Sequence, residues 1–158
     1  MKVAAPAGDF FLEPTHGEPV VLVSGGVGLT PMVSMLEAVR ADKPDRPLAW
    51  VHGALNGRVQ AMHGHVRDLV SGMPATSAHV FHAEPLPTNR RGVDYDEAGL
   101  ISVPWLARHT PLGNATFFLY GPRPFLRTLV NGLARHGVPR DRIRYEFFGP
   151  ADEMLDAA

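Results

Sequence analysis

The sequence predicts an α/β domain in which five parallel strands form one sheet with helices on both faces. Short apolar runs alternate along its 158 residues with segments whose apolar residues recur at helical spacing. The first strand, "PVVLVS" (19–24), is apolar almost throughout, which is typical of a strand buried on both faces of a parallel sheet. Ligands of such sheets bind beyond the carboxyl ends of the strands. The strand ends are therefore where we expect a functional site.

Composition excludes several classes of protein and site. Hydrophobic residues make up 45% and charged residues 20%, and the net charge of −1 gives no basic field for nucleic acid or an anionic membrane. The chain has no cysteine, which rules out disulfides, cysteine-ligated zinc and iron–sulfur clusters. No apolar run reaches the roughly 20 residues of a membrane helix, and the N-terminus does not resemble a signal sequence. We expect a cytoplasmic protein without nucleic-acid or membrane partners.

The strands and the first two helices follow in order. Apolar runs predict strands at 19–24, 48–54, 78–84, 115–121 and 142–149. Thr30 is placed to cap the first helix, with Pro31 in the first turn, where a missing N–H costs nothing. Asn56 is placed to cap the second helix. The apolar residues at helical spacing are Val33, Leu36 and Val39 in the first, and Val59, Met62, Val66 and Leu69 in the second.

Two further helices complete the alternation. A long loop rich in Pro, Asn and Arg runs from 85 to about 99, and Ser102 then caps a short helix over 102–109. Gly137 is well placed to end the fourth helix. That helix is marked by Phe125, Leu129, Val130 and Leu133.

A glycine-rich turn, "GGVGLTP" (25–31), leads into the first helix. Bare backbone lets a phosphate approach, and a helix N-terminus favours an anion. No Lys-Ser/Thr follows, as a P-loop requires, and Pro31 stands where the dinucleotide fingerprint has its third glycine. The second strand ends in "HGA" (52–54) rather than in an acidic residue that would hold a ribose. The spacing leaves two interpretations, a phosphate-binding turn and a structural turn.

Two more stretches lie at strand ends. "LYGPRPF" (119–125) is a second Gly-Pro turn that opens a helix, and the two turns together could flank one bound molecule. In "YEFFGP" (145–150), strand alternation sends Phe147 and Phe148 to opposite sides, so one can pack in the core while the other covers a planar ligand. Neither the histidines nor the carboxylates are spaced as a metal site or a catalytic group. The sequence is typical of a domain that holds a redox cofactor, and we predict no metal ligand and no catalytic residue.

Five stretches together resemble the NAD-binding domain of the ferredoxin–NADP reductase superfamily. They are "APAGDFFL" (5–12), "SGGVGLTPM" (24–32), "VHGALNG" (51–57), "FFLYGPRPF" (117–125) and "IRYEFFGP" (143–150). "HGALNG", "DEAGLI" and "YEFFGP" resemble in particular the C-terminal domain of bacterial flavohaemoglobins, which are nitric oxide dioxygenases. That family implies an NADH-binding domain that passes hydride to FAD on a β-barrel domain. Electrons then pass to haem on a globin domain, where nitric oxide is converted to nitrate.

The resemblance implies a division of the chain. Residues 1–14 correspond to the end of an FAD barrel or the linker leaving it, 15–150 to the NAD-binding domain, and 151–158 to a polar tail. We expect an NAD(P)H-dependent oxidoreductase that is inactive until an FAD domain is supplied in cis or in trans. Two other functions fit the same resemblance. One is the reductase component of another oxygenase or flavin reductase system, and the other is a non-catalytic nucleotide-binding module.

The resemblance also implies a position for each part of NADH. Residues 26–31 would meet the pyrophosphate and the nicotinamide-side ribose, 52–56 the adenosine half, and 121–122 the nicotinamide. Phe148 matches the aromatic residue that covers the flavin, and Tyr120 replaces the usual, smaller Cys. The predicted cofactor-binding residues are Gly25, Gly26, Val27, Gly28, Leu29, Thr30, Pro31, His52, Ala54, Asn56, Tyr120, Gly121, Pro122, Glu146 and Phe148.

Overall fold

Six parallel strands form one sheet in the computed structural model, which describes residues 12, 17–26 and 29–147. The strands are β1 (Val20–Gly25), β2 (Leu48–Ala54), β3 (Thr76–His82), β4 (Glu97–Ala98), β5 (Thr116–Gly121) and β6 (Ile143–Phe147). Their order across the sheet is β4–β3–β2–β1–β5–β6, and every neighbouring pair is parallel. The predicted parallel α/β class is confirmed. Its strand number is corrected from five to six, because the two-residue β4 is too short to show a periodic pattern.

In the described part of the chain, four α-helices cover the two faces of this sheet: α1 (Thr30–Asp42), α2 (His63–Ser71), α3 (Val103–His109) and α4 (Arg123–Arg135). Alternate residues of each strand point to opposite faces. Leu22, Trp50 and Phe118 therefore pack with α1 and α2, in one apolar cluster. Val23, Phe117 and Leu119 belong to a second cluster, with α3 and α4. Burial on both faces explains why β1 is a continuous apolar run.

The predicted starts of α1 and α2 are wrong in detail. Leu29, not Thr30, is the N-cap of α1, and Thr30 is its first helical residue. The second helix begins only at His63, after Met62 in a left-handed conformation. Asn56 instead closes its own turn, where its Oδ1 accepts a hydrogen bond from the backbone N–H of Arg58 at 3.0 Å. An Asx turn competes with a helix cap for the same side chain, and here the turn prevails.

The predicted end of α4 and the cap of α3 are confirmed. Gly137 follows α4 with φ of +90°, the left-handed conformation that glycine adopts most readily after a helix. Ser102 is the N-cap of α3, and its Oγ accepts a hydrogen bond from the N–H of Trp105 at 3.3 Å. Because Trp105 and Leu106 are buried, this cap orients a helix that covers the core.

We expect Ser102→Ala to lower the free energy of unfolding by about 1 kcal/mol, the usual cost of losing an N-cap oxygen. Urea denaturation followed by circular dichroism measures this change. The control is Ser34→Ala on the exposed side of α1, where Oγ donates only to the Thr30 carbonyl within the same helix. That variant should stay within about 0.5 kcal/mol of the parent. Equal losses in the two variants would contradict the role of the cap.

Several predicted features fall outside the described residues. These are Val27, Gly28, Phe148, the proposed tail and all of the proposed linker except Leu12. None of the helices in the described ranges has the length and apolar character needed to cross a bilayer.

Candidate nucleotide-binding site

Three glycines end the central strands side by side. Gly25 of β1 is paired in register with Gly53 of β2, and Gly121 ends β5 on the other side of β1. A Cβ at Gly121 would lie 2.6 Å from Phe125 Cδ1 and 3.3 Å from the Gly25 carbonyl oxygen, and one at Gly25 would lie 2.9 Å from the Phe125 ring. One at Gly53 would lie 3.2 Å from Ile101 Cδ1. A side chain at Gly25 or Gly121 would therefore displace the Phe125 ring, and one at Gly53 would press on the end of Ile101.

A cavity of about 440 Å³, whose lining includes Gly25 and Gly53, opens on the α3/α4 face of the sheet, and we call it the crevice. Its walls are mainly apolar, with Leu55, Leu100, Ile101, Pro122 and Phe125 among them. Leu100 is 81% exposed and Leu55 is 48% exposed, so apolar surface faces solvent at the mouth. Mostly apolar clefts of this size are typical of small-molecule sites.

Two helices begin at this edge without a side-chain cap. The N-cap residues are Leu29 for α1 and Pro122 for α4, and neither side chain has a hydrogen-bonding atom. Backbone N–H groups of the first turns are therefore left for water or an anion. Between the strands and α1, Gly26 takes a φ of +86° and donates its N–H to the Gly53 carbonyl at 2.9 Å. The edge thus combines bare backbone with two positive helix ends, which favours a phosphate.

Tyr120 lies on the other face of the sheet from the crevice. It packs against the α1/α2 cluster and is half-buried. In the sheet it stands between Ser24 of β1 and Glu146 of β6. Burial raises the pKa of its phenol, and the nearby Glu146 carboxylate raises it further. Tyr120 is therefore a neutral group at the strand edge, with Glu146 exposed beside it.

His52 does not line the crevice with its side chain. The ring is only 2% exposed, and its Nδ1 lies 2.7 Å from Ser24 Oγ. Burial lowers the pKa of His52 to about 4, so the ring is neutral at pH 7. Of the other residues predicted in this segment, Ala54 lines the crevice, while Asn56 closes the Asx turn described above.

The site residues predicted from sequence are partly brought together. Gly25, Gly26, Ala54 and Pro122 line the crevice, and Leu29, Thr30 and Pro31 form the start of α1. The sequence did not indicate Leu100 and Ile101, which reach the crevice because β4 pairs with β3 just before them. The resemblance of "DEAGLI" was the one signal that marked this segment. Within 12, 17–26 and 29–147, no three metal-ligating side chains are grouped.

Comparison with known proteins identifies the type of domain. The family model described as oxidoreductase NAD-binding domain matches residues 22–131. The chain is 49% identical over 157 residues to a flavohemoprotein of Xylella fastidiosa strain 9a5c, which covers 99% of this chain and 38% of that protein. The chain thus spans well under half of that relative's length.

Solved structures show the same fold. One is the flavohem-like FAD/NAD binding domain of nitric oxide dioxygenase from Vibrio cholerae O1 biovar El Tor, with a TM-score of 0.77 and 28% identity. That match covers 92% of this chain and 57% of the other. A cytochrome P450 reductase from Amycolatopsis has a TM-score of 0.78 at 24% identity, over 93% of this chain and 43% of that one, and shows the fold alone.

Proposed function

Because the chain belongs to the oxidoreductase NAD-binding domain family, in the ferredoxin reductase-like form that flavohemoproteins contain, we propose that it is the NADH-binding reductase domain of a flavohaemoglobin-like protein. In that role it delivers a hydride from NADH to an FAD on a neighbouring domain, in cis or in trans. The electrons then serve a haem domain that converts nitric oxide to nitrate.

The observation that best supports NADH binding is the group of three strand-end glycines between two uncapped helices. A dinucleotide carries two phosphates and two flat rings. The phosphates suit the N-terminus of α1 and the turn at Gly26, where backbone N–H groups and the helix dipole favour negative charge. The adenosine suits the apolar crevice, whose lining includes the bare backbone of Gly53 and the small side chain of Ala54.

The nicotinamide half then extends toward the face that carries Tyr120. We place it there because the crevice and Tyr120 lie on opposite faces of the sheet, and a ligand that crosses the edge at Gly26 reaches both. Glu146 follows at the end of the adjacent strand. Within this assignment Val27, Gly28 and Phe148 keep the roles that the family resemblance implies for them.

The direct test is titration of the chain with NADH by calorimetry. We expect NADH to bind more tightly than NADPH, because residues 52–57, at and just after the end of β2, include no charged side chain to hold a 2′-phosphate. Arg58 is the first charged residue after this segment along the chain. Because NADH has no 2′-phosphate for it to contact, Arg58→Ala should leave NADH affinity within about twofold, a change of roughly 0.4 kcal/mol. Tighter binding of NADPH would overturn the preference, and no binding of either nucleotide would overturn the proposed function.

Tyr120→Cys tests the assignment of the nicotinamide. In the chain joined to the FAD-binding part of the Vibrio cholerae protein, we expect flavin reduction by NADH to accelerate about tenfold, roughly 1.4 kcal/mol of barrier. A thiol frees space where the reacting atoms must approach to about 3–3.5 Å. NADH affinity should be nearly unchanged. Stopped-flow absorbance measures the rate.

The control for this variant is Tyr145→Cys, on the same sheet edge at an exposed position of β6. It should change neither rate nor affinity. Slower flavin reduction together with a lower melting temperature for Tyr120→Cys would mean that the phenol has a structural role.

A further inference from the structure

A groove of about 430 Å³ lies between α4 and the edge strand β6, and we call it the arginine groove. Its apolar lining includes Leu126, which is buried, and Val130 and Phe147, which are half-buried. The ring of Tyr145, which is 57% exposed, also lines it. The groove has no lining residue in common with the crevice, and none of its lining residues is a predicted cofactor-binding residue. It therefore shares no residue with the proposed NADH site.

Three arginines give this groove its charge. They are Arg123 and Arg127 of α4 and Arg140, which precedes β6. No carboxylate of the described residues lines the groove, and none of the three arginines makes an ion pair with a described residue. The Arg123 guanidinium lies over the Phe147 ring, 5.8 Å from its centroid, while Arg127 and Arg140 are exposed. Because like charges repel one another, the groove favours an anionic occupant.

The length of the groove suits a short peptide. Arg123 and Asn131 both line it and lie eight positions apart on α4, which corresponds to about 12 Å along the helix. An extended chain rises by about 3.3 Å per residue, so roughly four residues cover this length. Apolar surface between cations is complementary to a segment whose apolar side chains stand between acidic ones.

A segment of this composition follows β6 in the sequence. Residues 152–156 read Asp-Glu-Met-Leu-Asp, with two carboxylates before the apolar pair and one after it. Residues 151–158 contain no cation. Five positions separate Phe147, at the end of β6, from Asp152, and an extended chain of that length reaches about 16 Å. Since Phe147 itself lines the groove, residues 152–156 are within reach of it.

The covalent connection to β6 compensates for the weakness of the individual contacts. An exposed ion pair contributes little by itself. Burial of Met154 and Leu155 adds apolar area removed from water. A short link to the groove also gives the segment an effective concentration in the millimolar range. Weak contacts of both kinds are then sufficient for docking within one chain.

We propose that residues 152–156 dock in the arginine groove of the same chain, with their carboxylates at the arginines and with Met154 and Leu155 against the apolar lining. The proposal does not depend on the proposed NADH function, because the groove and the NADH site share no residue.

The test uses a spin label in the full chain, which has no cysteine of its own. Ala157→Cys supplies a single position for a nitroxide next to the acidic segment. When the effective concentration equals the Kd, about half of the chains are docked. We therefore expect the nitroxide to weaken the amide NMR signals of Arg127 and Asn131 clearly, compared with the reduced label. The signal of Asp68, on α2 at the opposite face of the sheet, should keep its intensity.

Neutral variants separate docking from mere proximity. Replacing the three carboxylates of residues 152–156 with their amides should restore the signals, and so should Arg127→Gln combined with Arg140→Gln. Arg108→Gln, exposed on α3 and outside the groove, is the matched control and should leave the weakening unchanged. Sodium chloride at about 1 M, where the Debye length is only about 3 Å, should reduce it.

A mixture of spin-labelled chains with isotope-labelled chains that carry no nitroxide tests for docking between molecules. We expect no weakening of signals in this mixture. Weakening that appears there would mean that the groove takes the segment of a second copy. No weakening in the singly labelled chain, or weakening that persists in the neutral variants, would mean that the arginines form a solvated face. Each of these three results would overturn the proposal.

Discussion

Gly121→Ala is expected to lower the free energy of unfolding by about 2 kcal/mol, within the usual range for overpacking. It should also weaken NADH binding by about tenfold, roughly 1.4 kcal/mol. The new Cβ would lie 2.6 Å from Phe125 Cδ1 and 3.3 Å from the Gly25 carbonyl oxygen. The ring must therefore move, and the crevice that it lines offers the space. Urea denaturation and NADH calorimetry measure the two effects.

The control is Gly113→Ala, in the exposed turn before β5, where an added Cβ meets nothing within 4 Å. Its stability and its NADH affinity should match those of the parent. If Gly121→Ala loses stability but keeps full affinity, the displaced Phe125 ring does not disturb bound NADH, and the crevice that this ring lines is not part of the NADH site. If it loses neither, the close packing of Phe125 on the strand end is wrong.

Acidification from pH 7 to pH 4 is expected to remove roughly 3 kcal/mol of stability through His52 alone. Burial lowers the pKa of this ring from 6.5 to about 4 in the folded protein. Each pKa unit corresponds to about 1.4 kcal/mol. Between pH 6.5 and 4 the unfolded chain takes up a proton that the folded chain excludes, so stability falls as the pH falls. The contribution is complete above pH 6.5 and absent below about pH 4.

Urea denaturation at several values between pH 7 and pH 4.5 tests this dependence. His52→Asn should show a shallower loss than the parent, and His82, whose pKa burial also lowers, accounts for part of the remaining slope. His136→Asn, at the exposed end of α4, should run parallel to the parent. Parallel curves for His52→Asn and the parent would contradict the buried, neutral state of His52.

The strand–helix order was predictable because burial on two faces leaves continuous apolar runs. The runs at 48–54 and 115–121 became β2 (Leu48–Ala54) and β5 (Thr116–Gly121), almost residue for residue. The segment after β2 was not predictable. Val59 and Met62 have helical spacing with Val66, yet they are 41% and 42% exposed and precede the helix. The turn that Asn56 closes keeps this segment out of the helix, and the periodicity of apolar residues does not reveal such a turn.

The candidate site was likewise predictable from the sequence only in part. Glycines at strand ends are visible in the sequence, and the structure gives a reason for Gly25 and Gly121 in the ring of Phe125 and for Gly53 in the side chain of Ile101. The position of Leu100 and Ile101 depends on pairing between β3 and β4, which are separated by a long loop. Local pattern contains no signal for so short a strand. The position of His52 at the adenosine half stays a prediction from its place in the motif, and the structure adds that its side chain lies on the face opposite the crevice because strand residues alternate.

The ring of Phe125 occupies the position that a Cβ would need at both Gly25 and Gly121. Substitutions at these three positions are therefore coupled. Alanine at either glycine should be tolerated when residue 125 is smaller, and a double-mutant cycle between Gly121→Ala and Phe125→Leu should show a favourable coupling of about 1 kcal/mol. Among related proteins, such coupling appears as covariation of the residues at the coupled positions. Homologues that lose one of these glycines are expected to have replaced the aromatic residue at position 125 as well.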